Sequence, residues 1–156
     1  MFSKIKSIQF PPDSEVQTIE QNAFYKSSIE KLSIPPNLTK LQDEWCSNTI
    51  HLNSIEISSE NPNYKFYDDK FILGKTSNNS EDFDVLIFCI RNLQKVIIPD
   101  FIKTIGPFAF DECADIKTIE ISNDSQLKTI EKKAFYHARI DRFTIPPHLT
   151  KICNYA

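Results

Sequence analysis

The stretch Ile-Pro-Pro-x-Leu-Thr-Lys occurs at residues 34–40 and again at 145–151, and it is the visible part of a repeat that runs along the chain. Apolar residues recur in the spacing apolar-x-x-apolar-x-apolar at six places. These are Ile5/Ile8/Phe10, Ile29/Leu32/Ile34, Leu52/Ile55/Ile57, Leu93/Val96/Ile98, Ile116/Ile119/Ile121 and Ile140/Phe143/Ile145. The units therefore start near residues 5, 29, 52, 93, 116 and 140, with spacings of 24, 23, 41, 23 and 24. Five of the six triads are followed by proline (Pro11-Pro12, Pro35-Pro36, Pro99, Pro146-Pro147) or by Ser122-Asn123. A second apolar pair comes three residues apart, as Val16/Ile19, Leu38/Leu41, Ile102/Ile105, Leu127/Ile130 and Leu149/Ile152. Four residues on, the unit closes with Ala23-Phe24, Ala109-Phe110 or Ala134-Phe135, while Trp45-Cys46 fills those slots in the second unit.

A repeat of this length is one supersecondary unit that cannot bury its own apolar face, so units must stack and share a continuous core. The in-out alternation at the end of each triad fits a short strand with one buried face. Proline ends it, having no N–H for the ladder. Alanine permits close backbone approach, and the phenylalanine ring is placed to stack on the ring of the next unit. A sandwich of short strands at regular spacing would not need the same residues in the same slots. The expected architecture is a solenoid.

The segment VIIPDFIKTIGPFAFDECADIKTIEI, Val96 to Ile121, resembles the BspA-like leucine-rich repeat, whose pattern is L-x-x-I-x-I-P, then V-x-x-I-G-x-x-A-F, then x-x-C-x-x-L. The resemblance covers nearly the whole chain. It implies a right-handed superhelix of the β/α type, with parallel strands on the concave face and turns and short helical segments on the convex face. It also implies a cell-surface or extracellular protein acting in adhesion to host, matrix or other cell-surface proteins. Two departures are mild: only the fourth unit keeps the family glycine, as Gly106, and Trp45-Cys46 replaces Ala-Phe.

The long spacing comes from extra residues between Asn61 and Asn92. Two strand-like runs, Lys70–Lys75 and Asp84–Ile90, flank the turn-rich residues 76–82, which predicts a β-hairpin projecting from the solenoid edge. It is either structural punctuation, as an Asn-Pro-x-Tyr/Phe insertion is in the resembling family, or a protruding contact element.

Net charge is −3, so bulk electrostatics recruits neither nucleic acid nor an anionic membrane. The longest apolar run, Val85–Ile90, is too short for a transmembrane segment. The opening MFSKIKSIQF lacks a secretory signal pattern, which leaves a cytoplasmic location as the alternative to the surface. Two glycines, Gly74 and Gly106, standing apart form no phosphate loop, so no such cofactor site is expected.

No catalytic constellation stands out: there is no G-x-S-x-G and no Cys-His signature, and the chain reads as a non-enzyme. Cys46, Cys89, Cys113 and Cys153 lack zinc spacing and are either buried thiols or a disulfide between adjacent units. By the family resemblance Cys113 takes the place of a core cysteine. His51, His137 and His148 fall among turn positions. The acidic groups Asp68-Asp69, Glu81-Asp82-x-Asp84 and Asp111-Glu112 lack calcium-loop spacing and read as solvated loops, so no metal site is expected. Asn37, Asn78 and Asn123 match the N-glycosylation acceptor.

If the strands line one concave sheet, its outward residues include Lys6, Gln9, Glu30, Lys31, Asn53, Glu56, Gln94, Lys95, Lys117, Glu120, Asp141 and Arg142. These are the expected protein-binding residues, and the expected ligand is another protein. An intracellular scaffold for protein–protein interaction is the second reading. Six strands ~4.8 Å apart and ~4 residues long cover roughly 300 Å², against about 800 Å² per partner in a standard interface. Repeats open almost at once at Ile5, and Ala156 holds the slot of the Ala-Phe alanine. Both ends are thus expected to be cut from a longer solenoid, with uncapped apolar ends that promote self-association.

Overall fold

Every turn of the chain carries its apolar triad as a strand, and most carry a second, shorter strand on a different face. The structure is a computed structural model that describes residues 4–77 and 79–156; Asn78, one of the glycosylation acceptors, lies outside the described residues. In chain order the strands are β1 (Ser7–Ile8), β2 (Thr18–Ile19), β3 (Lys31–Ile34), β4 (Lys40–Leu41), β5 (Ser54–Ile57) and β6 (Lys65–Tyr67). They continue as β7 (Phe71–Gly74), β8 (Val85–Cys89), β9 (Lys95–Ile97), β10 (Thr104–Ile105), β11 (Thr118–Glu120), β12 (Thr129–Ile130), β13 (Arg142–Phe143) and β14 (Lys151–Ile152).

Three ladders hold successive turns together. On the first face β1, β3 and β5 pair in parallel, with Leu32 opposite both Ile8 and Ile55. There β9, β11 and β13 do the same, with Ile119 opposite Val96 and Phe143. On the second face Ile19 pairs Leu41, and Ile105, Ile130 and Ile152 stand in one row. The Ala-Phe turns form the third ladder: Phe24 N–H donates to Trp45 O at 2.9 Å, Phe110 to Ala134 O at 2.8 Å and Phe135 to Ala156 O at 3.0 Å. The Phe110 and Phe135 rings stack at 5.4 Å, as the slot pattern predicts. The molecule is thus a β-solenoid of about six turns.

The short helical segments implied by the resemblance are not there: the described residues include no helix. The cause is local. Asn22 and Lys26, Glu44 and Asn48, Phe108 and Glu112, Lys133 and His137 all have φ between 52° and 62°. A left-handed residue at every fourth position breaks the i→i−4 run of a helix. It leaves consecutive tight turns whose N–H groups reach the next coil instead.

The insertion also differs from expectation. Its two predicted strands do pair, as β7 and β8, but they do not project. Phe71, Ile72, Leu73 and Gly74 are all buried. A third strand, β6, precedes them and joins β7 through Asp68–Lys70, where Lys70 N donates to Tyr67 O at 3.1 Å across Asp68 and Asp69, whose φ values of 53° and 50° are those of a primed β-turn. β8 then lies parallel to β10 with Leu86 opposite Ile105, so the second face reads β14-β12-β10-β8-β7-β6. Side chains alternate across this wall. Phe71, Leu73, Leu86 and Cys89 enter the core of the C-terminal turns, and Ile72, Phe88 and Ile90 enter that of the N-terminal turns.

Two extra strands enter the second face and none enters the first. The first-face ladder consequently stops between β5 and β9, and the single six-stranded sheet expected from the repeat becomes two sheets of three. Gly106 sits at the seam between β8 and β10, where an added Cβ would meet the Leu86 carbonyl at 3.0 Å.

Asn61 is the switch that starts the excursion. It takes the slot of Leu38, Ile102 and Leu149, each of which donates its N–H to the carbonyl three residues earlier, as Asn61 does to Ser58. Its amide donates to Pro35 O at 2.7 Å and Leu38 O at 3.1 Å, and its carbonyl accepts from Asn63 N at 2.8 Å and Tyr64 N at 2.9 Å. Truncating this buried side chain leaves the Asn63 and Tyr64 N–H groups without their acceptor and takes one of two donors from each of the Pro35 and Leu38 carbonyls. Asn61→Ala is expected to lower stability by about 2–3 kcal/mol in urea denaturation, while exposed Asn53→Ala stays within about 0.5 kcal/mol of wild type.

Candidate functional site

The structure places the twelve expected binding residues at outward positions of the first face, but in two groups. Lys6, Glu30 and Asn53 form one column, linked where Glu30 N donates to Lys6 O at 2.7 Å and Asn53 N to Glu30 O at 3.1 Å. Lys31, Gln9 and Glu56 complete that group. Gln94, Lys117 and Asp141 form the matching column of the second group, with Lys117 N on Gln94 O at 2.8 Å and Asp141 N on Lys117 O at 3.1 Å. Lys95, Glu120 and Arg142 complete it. All are exposed except half-buried Glu30. An ion pair crosses turns in each group, Lys6–Glu30 and Lys95–Glu120, both at 2.6 Å. The Lys6 hydrogen bond, aided by its charge, holds Glu30 below its ordinary value. Ile97, 61% exposed, is the one large apolar side chain among the outward positions. Each three-stranded group covers only roughly 130 Å².

The second feature was not visible in the motifs. Arg91 follows the apolar run of β8 and is buried, 3% exposed, where the two cores meet. Its guanidinium lies 4.4 Å from the centre of the Phe88 ring. Nη1 is 3.3 Å from Cys113 Sγ and Nη2 is 3.7 Å from Cys46 Sγ. The fit follows from slot substitutions. Cys46 stands where other units carry phenylalanine, which leaves room for the guanidinium. Trp45 stands where they carry alanine, and its ring packs on Phe88 at 5.5 Å.

Burying an arginine requires negative charge nearby. Burial would raise the Cys113 thiol, but a hydrogen bond from Cys89 and the Arg91 charge bring it down to about 7. Cys46, dominated by burial, is pushed up to about 12. Asp111, behind Arg91, is raised by burial against the Arg91 attraction. Burial disfavours the Arg91 charge, yet Cys113 and Cys46 outweigh it and the guanidinium stays protonated. The adjoining cavity is about 60 Å³, room for a few waters and not for a substrate of ordinary size. All four cysteines are free thiols, three buried and Cys153 half-buried.

The sequence reading of Asp84 and Asp111 as solvated loop acids is corrected by their burial, 4% and 1% exposed. The three histidines are exposed, as expected. Asp84 closes the base of the β7–β8 connection: it accepts from Thr76 N at 3.2 Å, Thr76 Oγ1 at 2.7 Å and Lys103 Nζ at 3.0 Å. Burial opposes its ionisation, but the Thr76 and Lys103 bonds together hold it below the ordinary value. A groove of about 570 Å³ runs between Gln42–Glu44 and Phe108, with Lys132–Asp43 at 2.9 Å and Lys133–Glu44 at 3.7 Å spanning it.

Two outcomes follow. Arg91→Ala strips the counter-charge from Asp111 and opens a void, so unfolding measurements should show a loss of about 3–5 kcal/mol. Arg91→Met with Asp111→Asn should be less destabilised than the two single variants summed. Asp84, lowered when folded, stabilises fully above its unfolded value of about 3.9 and loses this as pH falls through the folded value. The advantage of wild type over Asp84→Asn should therefore be flat from about pH 5 to 8 and shrink below about pH 4.

Comparison with known proteins agrees with this geometry. The model of the BspA type leucine rich repeat region matches in six copies, over residues 1–73 and 81–156. No curated protein matches. A leucine-rich repeat protein from Eubacterium ventriosum superposes with a TM-score of 0.78 at 25% identity, over 95% of this chain and 38% of that one. The pneumococcal vaccine antigen PcpA shares the fold, with a TM-score of 0.72 at 21% identity over 97% of this chain and 42% of its own. The chain thus spans about two-fifths of the length of each.

Proposed function

The chain belongs to the BspA-type leucine-rich repeat family, and on that premise we propose that it is a non-enzymatic module that recognises other proteins in adhesion at the cell surface. One observation carries this reading. The outward positions of the first face form polar columns in register from turn to turn, built on ladders whose inner side is fully apolar. Such columns present donors, acceptors and charges at a fixed spacing on a rigid support. The buried cluster at Arg91 joins an arginine to thiols beside a cavity of only about 60 Å³, too small for a substrate of ordinary size, which supports a binding role over a catalytic one. The surface placement follows the family.

A scaffold inside the cell is the second reading, favoured by four unpaired cysteines, since thiols persist in reducing compartments. A membrane-impermeant biotin reagent applied to intact cells separates the two: labelled protein is expected, and protein labelled only after lysis overturns the adhesion reading. The face is tested by solid-phase binding of the purified chain to immobilised extracellular-matrix proteins. The triple variant Lys31→Glu, Lys95→Glu, Arg142→Glu, at exposed positions, should weaken retention at least ~10-fold. Undiminished binding by this variant would remove the first face from the interface.

A further inference from the structure

We propose that Asp111, Glu112 and His137 form a divalent-cation site, of a chemistry suited to Zn²⁺, that staples the fourth turn of the solenoid to the fifth.

The site is built by the repeat. Glu112 and His137 are the second left-handed residues of two successive turns, with φ of 59° and 57°. The third ladder joins those turns directly, Glu112 N donating to Tyr136 O at 3.1 Å. The register brings the side chains together: His137 Nδ1 is 2.7 Å from Glu112 Oε1 and 4.0 Å from Asp111 Oδ1. One ligand atom from each residue lies within 4.8 Å of the other two. Zn²⁺ bonds imidazole and carboxylate at about 2.0–2.2 Å, so two atoms on one ion stand ~3–4 Å apart. Small rotations of the exposed His137 and half-buried Glu112 side chains close the difference.

Asp111 is the independent observation. Its side chain is 2% exposed, and its Oδ1 is aimed at His137. The hydroxyl of its neighbour Ser47 lies close enough to favour the carboxylate's charge but completes no hydrogen bond of good geometry, and neither Asp111 oxygen has another such partner. Arg91 attracts it from behind, yet Arg91 Nε is itself unpartnered and the guanidinium N–H groups are turned to Cys113 and Cys46. Buried carboxylates in native proteins have partners. A cation between Asp111 and His137 supplies one.

The donor set selects the ion. One imidazole with two carboxylates suits a borderline ion such as Zn²⁺ rather than a hard, oxygen-only ion or a soft thiolate-bound one. Three protein ligands at a solvent-facing edge leave a position for water. The ion links residues one turn apart, so it would bind only the folded stack and raise its stability.

The test is isothermal titration of the full chain with Zn²⁺, paired with thermal unfolding with and without the ion. The expected result is one Zn²⁺ per chain and a higher Tm. His137→Ala and Glu112→Gln, each compared with its own metal-free Tm, should each weaken binding at least ~100-fold and abolish the Tm shift. His148→Ala should change neither. Substituting Co²⁺ should give a visible spectrum without a sulfur-to-metal charge-transfer band. No binding by wild type, binding unchanged in His137→Ala, or binding lost instead in Cys46→Ser or Cys153→Ser would each overturn the site.

Discussion

Backbone hydrogen bonding between successive turns is the constraint on which the rest depends. A turn of this chain makes almost no regular structure by itself. Its strands are two to five residues long, and its tight turns keep left-handed residues that are not glycine. A left-handed conformation costs an ordinary residue ~1–2 kcal/mol, and Phe108, Glu112, Lys133 and His137 each adopt it. The geometry is tolerated because it aims N–H groups at the carbonyls of the next coil, in the same slots every time. Stacking then satisfies the backbone and buries the apolar triads in one step, so order in one turn requires order in its neighbour.

That constraint explains how the third turn accommodates its insertion. Interrupting a ladder orphans backbone groups, and β6–β8 limit this by extending the second-face ladder of the later turns, while the first-face ladder stops between β5 and β9. β8 takes the second-face place beside β10, and Asn61 ties the preceding turn to its own with two side-chain hydrogen bonds to each. Where the third turn lacks an Ala-Phe unit, volume is made up by exchange. Trp45 fills from one side, and Cys46 recedes to admit Arg91. The departures from the repeat at Trp45-Cys46, Asn61 and Arg91 are thus one adjustment seen at several positions.

Much of the fold was legible in the sequence because slots repeat. Leu32, Ile55, Val96, Ile119, Leu38, Ile102, Ala109 and Phe110 announced their burial by recurring at fixed intervals, and the ladders place them as expected. What recurs only once could not be read this way. The hairpin was legible as two strands, but whether its faces were wet or dry was not, since β7 alternates between two cores and has no polar face to show it. β6 was hidden because Asp68-Asp69 resembles a solvated acid pair until its φ values mark it as a hairpin turn. Helical segments were inferred from likeness, whereas the turn conformation depends on inter-turn hydrogen bonds that no local propensity records. At the candidate sites, the outward residues follow from the triad spacing. The burial of Asp84, Arg91 and Asp111 follows from the insertion, and no sequence period reports it.

The insertion also decides what kind of surface the first face can be. An uninterrupted six-stranded ladder would present each polar column over about 24 Å, suited to a partner lying across all the turns. With the ladder stopped between β5 and β9, columns such as Lys6-Glu30-Asn53 and Gln94-Lys117-Asp141 belong to separate sheets. Neither patch approaches the area of a stable interface. On the proposed reading, recognition would therefore use both patches together or add the surface around one of them. The first option favours a ligand rigid enough to match two fixed patches, because lost flexibility is then spent once. The wall formed by β7 and β8 is what keeps the two patches at a constant separation, since it is packed on both sides and shares residues with both cores. On the proposed reading, its contribution to recognition would be the spacing of the two patches, made from inside the core.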